Sequence, residues 1–270
     1  MDRREKNKKR RQDALTARHP RHLERRYRRR LLEYMRAIGR LVREEVDQIL
    51  ARHADEINYL ARTDSQEIIV KEVERRIAGI RVVAERTWTD REIEEFTTEI
   101  AGQMDLFEKN QITQQWSAVK GVDPIMGDRL TAGLIREFSM ENLRLIKDMP
   151  DEFLRQVQDE LVDATRSGTR AENFQDIIQE RLKVGESRAR LIARDQIASM
   201  NGALTEIRQR ELGITKFEWS SSQDERVREL HDERDGQEFS WDHTFDETPD
   251  DGPPGRPINC RCVAIPVIPD

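Results

Sequence analysis

The stretch G-I-T-K-F-E-W-S-S, from Gly213 to Ser221, separates two patterns in the chain. Upstream of it, apolar residues recur at steps of three and four, which predicts α-helices. Inside it, Lys216, Glu218 and Ser220 alternate with a second set of residues, and this period of two predicts a half-buried β-strand. The second set consists of Thr215, Phe217, Trp219 and Ser221. The predicted fold class is therefore α+β, with mainly long α-helices and a small β-containing C-terminal module.

The first predicted helix begins at Pro20 and carries one long apolar stripe. Its members lie three or four residues apart, so they share one helix face; they are Tyr27, Leu31, Met35, Ile38, Val42, Val46 and Ile49. Further along the chain, Thr89-x-x-Glu92 has the form of a capping box and predicts the start of another helix.

Proline and glycine predict the ends of the later helices. Pro150 suits a first helical position, and Gly168 suits the end of that helix. Gly185 suits the end of the next one. A final helix is predicted from about Ser187 until Gly213 closes it.

Downstream of Gly213 the predicted elements are short. Residues 235–241 read as a turn into a second strand, and residues 246–257 are a loop because of their proline and glycine content. Residues 262–268 alternate again, and Pro266 makes this segment an edge strand.

The predicted domains follow these patterns. Residues 1–19 form a basic arm that we expect to be disordered when unbound, and residues 20–147 form a helical body. Residues 148–270 form a C-terminal domain that is helical up to residue 212 and continues as the small β module of residues 213–270.

Composition limits the class of protein. Charged residues make up 37% and aromatic residues 6%, which predicts the thin core of an elongated helical protein. No apolar run is long enough to cross a bilayer, and the N-terminus lacks the apolar segment of a secretory signal, so we expect no membrane partner. Two neighbouring cysteines without a disulfide framework indicate assembly inside a reducing cell.

The charge of the chain is strongly segregated. Residues 1–30 hold 14 Lys and Arg against 4 Asp and Glu, whereas the other 240 residues hold 33 against 49. A basic segment of this kind binds either nucleic-acid phosphates or an acidic protein surface, and the sequence favours neither. The candidate binding residues are Arg3, Arg4, Lys6, Lys8, Lys9, Arg10, Arg11, Arg25, Arg26, Arg28, Arg29 and Arg30.

Both cysteines lie in P-I-N-C-R-C, from Pro257 to Cys262. Two thiolates with the imidazole of His231 suit zinc, so Cys260, Cys262 and His231 are candidate metal ligands. The candidates for a fourth ligand are Asp224, Asp232, Asp235 and His243. Alternatively, one cysteine packs as a small apolar side chain and no cofactor is bound.

The charged segment before His231 has two interpretations. A carboxylate and a histidine could hold a divalent ion for phosphodiester hydrolysis, which would involve Asp224, His231, Cys260 and Cys262. Alternatively, Asp224 forms a hydrogen-bonded, charge-assisted network with Arg226 and Arg228 that stabilises a loop-rich module. On the preceding helix, Arg194 and Asn201 share one face, where they either meet solvent or bind the module back to the helix.

These segments together resemble one protein family. R-A-R-L-I-A-R-D-Q-I-A-S-M-N-G-A, from Arg188 to Ala203, is similar to the helix that opens the C-terminal domain of the phage Mu protein F-like, minor head protein family. The resemblance covers about residues 145–265, although Asp195-Gln196 stands where the family tends to have Thr-Glu. The family's ordered motif residues correspond here to Gly213, Trp219, Asp224, Arg226, Arg228, His231, Asp235, Gly236, Pro257, Asn259, Cys260, Arg261 and Cys262.

The resemblance implies a minor capsid or head morphogenesis protein of a tailed phage or prophage that is not an enzyme. It implies association with the portal protein and with other capsid or scaffold proteins, and contact with phage DNA through the basic arm. Assembly would take place in the host cytoplasm, and the protein would end inside or at the portal vertex of the head. Two alternatives remain, a metal-dependent nuclease and a module associated with toxins.

Overall fold

A computed structural model describes residues 16–58, 63–127, 129–223, 227–248 and 250–269. Over these residues a mainly helical chain ends in a three-stranded sheet, which confirms the predicted α+β class. The elements are α1 (Arg21–Asn58), α2 (Thr63–Thr87), α3 (Asp90–Lys120), α4 (Arg129–Arg166), a 3-10 turn (Ala171–Asn173), α5 (Phe174–Glu211), β1 (Lys216–Ser220), α6 (Glu229–Glu233), β2 (Glu238–Ser240) and β3 (Val263–Pro266). Within the described residues, no helix is both long enough and apolar enough to span a bilayer.

The chain forms two compact units, each built from separated segments. Unit 1 comprises Met1–Arg26, Thr97–Met140 and Ala193–Asp270, and unit 2 comprises Tyr27–Phe96 and Glu141–Ile192. The predicted domain boundary between residues 147 and 148 falls inside α4.

Unit 2 buries the apolar stripe predicted for α1. All seven stripe residues are buried, which confirms that interpretation of the sequence. Aromatic rings extend this core: Tyr27 stacks on Phe96, and Tyr34 and Phe96 both contact Trp88 edge to face. The hydroxyl of Tyr34 donates a hydrogen bond to the carbonyl oxygen of Ala84 at 3.0 Å.

The predicted capping box at Thr89 is confirmed. The backbone N–H of Thr89 donates to the carboxylate of Glu92 at 2.9 Å, and the backbone N–H of Glu92 donates to the hydroxyl of Thr89 at 3.4 Å. This reciprocal pair satisfies two donors that the first turn of α3 leaves open.

Three predicted helix boundaries are wrong, and one of them is the start near Ser187, since a single helix runs from Phe174 to Glu211. Pro150 lies inside α4, where Met149, Phe153 and Leu154 are buried around it. Burial of this continuous apolar stripe outweighs the cost of about 3 kcal/mol that proline imposes on a helix interior. Gly185 also lies inside a helix, α5, and serves close packing instead, since a Cβ there would lie 2.8 Å from the Met35 methyl group.

The C-terminal sheet has the strand order β2-β1-β3, with both pairs antiparallel. Phe217 pairs with Phe239 across β1 and β2, and Trp219 pairs with Ala264 across β1 and β3. This confirms β3 as the edge strand that Pro266 predicted. The core of the sheet consists of Phe217, Trp219, Trp241, Cys260, Cys262 and Ala264, with Phe239 and Phe245 packed against it.

Candidate functional site

Three of the predicted site residues in unit 1 come together in one buried cluster. The sulfur atoms of Cys260 and Cys262 lie 3.6 Å and 3.7 Å from Nδ1 of His231. The possible ligand atoms of the three residues all lie within 4.8 Å of one another, and all three side chains are buried. The sulfurs therefore meet the imidazole in one compact group.

Local backbone geometry explains this convergence. In extended chain, residues two apart point to the same side, so Cys260 and Cys262 face inward together while Arg261 faces away. A turn precedes them, in which the N–H of Cys260 donates to the carbonyl of Pro257 and Asn259 has a φ of 61°. His231 reaches the pair from α6, a helix of a single turn.

The two thiols influence each other's protonation. A hydrogen bond from Cys262 lowers the pKa of Cys260 well below the ordinary value for a thiol, although burial opposes this change. The same hydrogen bond and burial raise the pKa of Cys262. The two pKa shifts are therefore opposite in direction, lowered for Cys260 and raised for Cys262.

A cleft of about 310 Å³ opens beside the cluster, which forms part of its lining. Arg194, Arg228 and Asn259 also line this cleft. Arg194 donates a hydrogen bond to the side chain of Asn259 at 3.0 Å, and Asp195 accepts one from the backbone N–H of Asn259 at 3.2 Å. Arg194 thus connects α5 to the loop of the cysteines, as one of the two sequence interpretations proposed.

Arg228 fixes the loop that precedes the cysteines. Its guanidinium donates to Asp250 at 2.6 Å and to the carbonyl oxygen of Ile258 at 2.9 Å. Asp250 also accepts a hydrogen bond from the backbone N–H of Ile258 at 3.2 Å. Pro257, the next motif residue along this loop, is buried.

Trp219, Asp235 and Gly236 belong to the framework of the sheet. Trp219 is fully buried, and its ring lies 5.1 Å from the His231 ring in an edge-to-face arrangement. Asp235 accepts a hydrogen bond from the backbone N–H of Ser221 at 2.7 Å, and Gly236 has the positive φ of 75° that glycine tolerates best.

The remaining predicted motif residues lie apart from the cluster or outside the described residues. Asn201 is buried in α5 away from the cleft lining, and its side-chain oxygen has no hydrogen-bond partner among the residues that the structure describes. Asp224 and Arg226 fall outside the described residues. Within the described ranges, neither Asp232, Asp235 nor His243 joins the cluster.

A buried ion pair between Arg234 and Asp251 is the main feature of the module that the sequence did not reveal. Arg234 makes two hydrogen bonds of 2.8 and 2.7 Å to the Asp251 carboxylate, and a third of 2.9 Å to Glu247. Its guanidinium also lies 5.2 Å from the centre of the Trp219 ring and 4.9 Å from that of Phe245. A sequence in which charged residues are abundant offers no signal that singles out these two.

A second cleft in unit 1, of about 480 Å³, lies at the start of α1 and is strongly cationic. Arg18, Arg21, Arg25 and Arg261 line it, together with serines 220–222 of the sheet. The hydroxyl of Ser221 is buried and has no hydrogen-bond partner within the described part of the chain.

The structure distributes the predicted basic residues over different environments. Arg26 donates to Glu99 at 2.8 Å and to Gln103 at 3.0 Å, so its charge is compensated. In unit 2, Arg30 lies over the Trp88 ring at 4.8 Å, whereas Arg28 is half-buried and Arg29 exposed. Residues Arg3, Arg4, Lys6, Lys8, Lys9, Arg10 and Arg11 lie outside the described residues.

Arg261 links the cysteine motif to α1 within unit 1. It donates to the buried carboxylate of Glu24 at 3.2 Å, and His19 lies 2.9 Å from the same carboxylate. Burial raises the pKa of Glu24, but hydrogen bonds and charge from His19 and Arg261 outweigh burial and lower it to about 2. This contact joins residues 237 positions apart in the sequence.

A buried polar group lies between α3 and α5 in unit 1 and was also missed. Arg208 is fully buried and donates to Asp105 at 2.7 Å. Burial raises the pKa of the nearby carboxyl of Glu108 to about 8, against the opposing hydrogen bonds of Thr205 and Gln111. Helical periodicity places these residues on a face but does not reveal that the face is buried.

The region that contains this site matches a known protein family. Residues 155–265 match the model of the family described as Phage Mu protein F like protein. This confirms over that segment the resemblance inferred from the sequence motifs.

One curated relative extends the comparison. A protein of Haemophilus influenzae, described as an uncharacterized protein, is 38% identical over 160 residues. The aligned part covers 59% of this chain and 34% of the relative, so the chain spans about a third of the relative's length. No solved structure matches the chain significantly.

Proposed function

We propose that the protein is a phage head morphogenesis protein that acts as a minor capsid component rather than as an enzyme. The observation that carries this proposal is the family match over residues 155–265. The geometry supports it, because Arg194 holds the side chain of Asn259 and Arg228 holds the carbonyl oxygen of Ile258 in the neighbouring loop. These contacts suit a structural role, because the side chains that line the cleft already make hydrogen bonds within the protein.

The proposed partners are the portal protein and other capsid or scaffold proteins, and the proposed location is inside or at the portal vertex after assembly in the host cytoplasm. The test is co-purification of the full chain with the portal protein of the same phage. We expect a stable complex. Failure to co-purify when both proteins are folded would contradict the portal assignment.

We also propose that the basic start of the chain contacts phage DNA. The cationic cleft supports this, since Arg21 and Arg25 are exposed and make no ion pair with the described residues. Arginine side chains are among the groups that hold phosphate oxygens.

DNA binding is measured by filter binding over a series of salt concentrations. The slope of log affinity against log salt is about −0.9 per phosphate contacted, so Arg21→Glu with Arg25→Glu should reduce its magnitude by about two. Arg91→Glu is the matched control, because Arg91 is well exposed and lies on α3, outside this cleft. An affinity that does not change with salt would contradict the phosphate contacts.

Metal-dependent phosphodiester hydrolysis remains a second candidate function. The observation that favours it is a group of three possible metal ligands beside a cleft that contains arginines. Incubation of plasmid DNA with the full chain and Mg²⁺ or Zn²⁺ tests it. Cleavage that His231→Ala abolishes would establish the nuclease, and intact plasmid with folded, metal-loaded protein would exclude it.

A further inference from the structure

We propose that Cys260, Cys262 and His231 bind one zinc ion that fastens the loop before β3 to helix α6. The proposal does not depend on the role in head assembly, because it concerns only how the C-terminal module is held together.

The distances fit a tetrahedral zinc ion. Zinc–sulfur bonds of about 2.3 Å and zinc–nitrogen bonds of about 2.0–2.1 Å, at tetrahedral angles, place sulfur and nitrogen about 3.6 Å apart. The two observed separations are 3.6 Å and 3.7 Å. Both sulfurs therefore already lie at ligand spacing from the same nitrogen, Nδ1 of His231.

The ligand types select zinc among the common divalent ions. Magnesium and calcium prefer oxygen ligands, whereas two sulfurs and an imidazole nitrogen suit zinc. Cys260 and Cys262 are free and buried, so they do not form a disulfide in this structure. A bound cation would also compensate the charge of two buried thiolates, which is otherwise costly to remove from water.

The architecture of the module gives such an ion a clear structural effect. The sheet has strands of five, three and four residues, and its buried core contains only six residues. A cross-link adds stability to so small a sheet even though it belongs to a larger packed unit. A zinc ion would provide one between residues 29 and 31 positions apart, so its binding energy would stabilise the folded module.

The fourth coordination position faces the cleft. Within the described parts of the chain, no fourth histidine, cysteine or carboxylate joins the cluster, whereas all three of its members line the cleft. Zinc sites with three protein ligands hold water or another small ligand in the remaining position.

The first test is the metal content of the full chain, produced with zinc in the medium and purified under reducing conditions. Elemental analysis should find about one zinc ion per chain. Cys260→Ser, Cys262→Ser and His231→Ala should each weaken zinc affinity by more than about 100-fold. His243→Ala is the matched control, since this exposed histidine belongs to the same module but not to the cluster, and it should keep its zinc.

A second measurement remains informative if the variants fail to fold. Wild-type protein is stripped with a chelator and titrated with Co²⁺, which should give the visible bands of a tetrahedral ion and a sulfur-to-cobalt charge-transfer band. Zinc should then displace cobalt and raise the Tm above that of the stripped protein. The proposal is overturned if folded wild-type protein binds neither ion, if the bound cobalt lacks the sulfur band, or if His243→Ala loses zinc as completely as Cys260→Ser.

Discussion

Gly202 of α5 and Gly255 of the loop before the cysteines pack backbone against backbone. A Cβ on Gly202 would lie 2.5 Å from the carbonyl oxygen of Pro254, and a Cβ on Gly255 would lie 2.7 Å from the carbonyl oxygen of Ala198. Gly255 also has a φ of 84°, where residues with side chains are strained. The loop therefore packs directly on the backbone of α5 because both positions lack a side chain.

Gly202→Ala should destabilise the protein by about 1–3 kcal/mol, because the methyl group must push a backbone oxygen away. Urea unfolding followed by circular dichroism measures this change. Gly102→Ala is the control, since Gly102 also lies in a helix but nothing is within 4 Å of its added Cβ. That substitution should stabilise by about 0.5–1 kcal/mol through helix propensity alone. Equal effects of the two changes would show that the close approach does not constrain α5.

Arg234→Met should cost about 3–5 kcal/mol, because it removes the cation from the buried carboxylate of Asp251 and leaves the backbone N–H groups of Glu247 and Gly252 as its donors. Arg228→Met is the matched comparison in the same module. Its contacts with Asp250 and with the carbonyl oxygen of Ile258 are both exposed, so the ion pair should contribute only about 0–1 kcal/mol and the variant should lose much less stability than Arg234→Met. Chemical denaturation measures the free energy of unfolding of both variants. A much larger loss in Arg234→Met than in Arg228→Met would show that the ion pair of Arg234 with Asp251 is the main polar link of the module.

The same pair predicts a pH dependence. Hydrogen bonds from Arg234 lower the pKa of Asp251 to about 2, although burial opposes this. The folded-state value lies below the unfolded one, so this stabilisation is present above about pH 4 and is lost as the pH falls towards 2. The stability deficit of Asp251→Asn should therefore shrink over this range. A deficit that stays constant would contradict the assignment.

Local patterns predicted the secondary structure well where a single segment determines the outcome. The stripe of α1, the capping box at Thr89 and the alternation of β1 all depend on neighbouring residues, and the structure has each of them. Pro150 and Gly185 misled because each is normally read as a helix boundary. Tertiary burial decided both cases, and burial depends on segments distant in the sequence.

The candidate site was partly predictable for a different reason. Cys260, Cys262 and His231 are rare residue types in this chain, so their proximity in sequence was informative, and the structure places them together. Arg234 and Asp251 belong to types that fill 37% of the chain. Their pairing depends on the path of the intervening loop, which no residue pattern specifies.

Glu108→Gln should change how stability depends on pH. Burial raises the pKa of Glu108 to about 8, so the protonated form is stabilised by folding. The folded-state value exceeds the unfolded one near 4.5, and the wild-type protein should lose stability as the pH rises through this interval. The side chain of the variant stays neutral at every pH. Urea unfolding should therefore show that the free energy of unfolding of the variant rises relative to that of the wild type from pH 5 to pH 9. The exposed Glu44→Gln should follow the wild type at every pH.

Arg261→Met should weaken unit 1 through Glu24 rather than through the cysteines. It leaves a buried carboxylate with His19 as its remaining partner, at a cost of about 1–3 kcal/mol. The pKa of Glu24 is lowered to about 2, so this loss should be full above about pH 5 and should diminish as the pH falls towards 2. Arg256→Met, a substitution of an exposed residue in the same loop, is the control.

A double-mutant cycle of Arg261→Met with Glu24→Gln tests the contact directly. The two losses of stability should not add, because both substitutions remove the same contact. Strict additivity, or a loss of stability that does not depend on Glu24, would contradict the assignment.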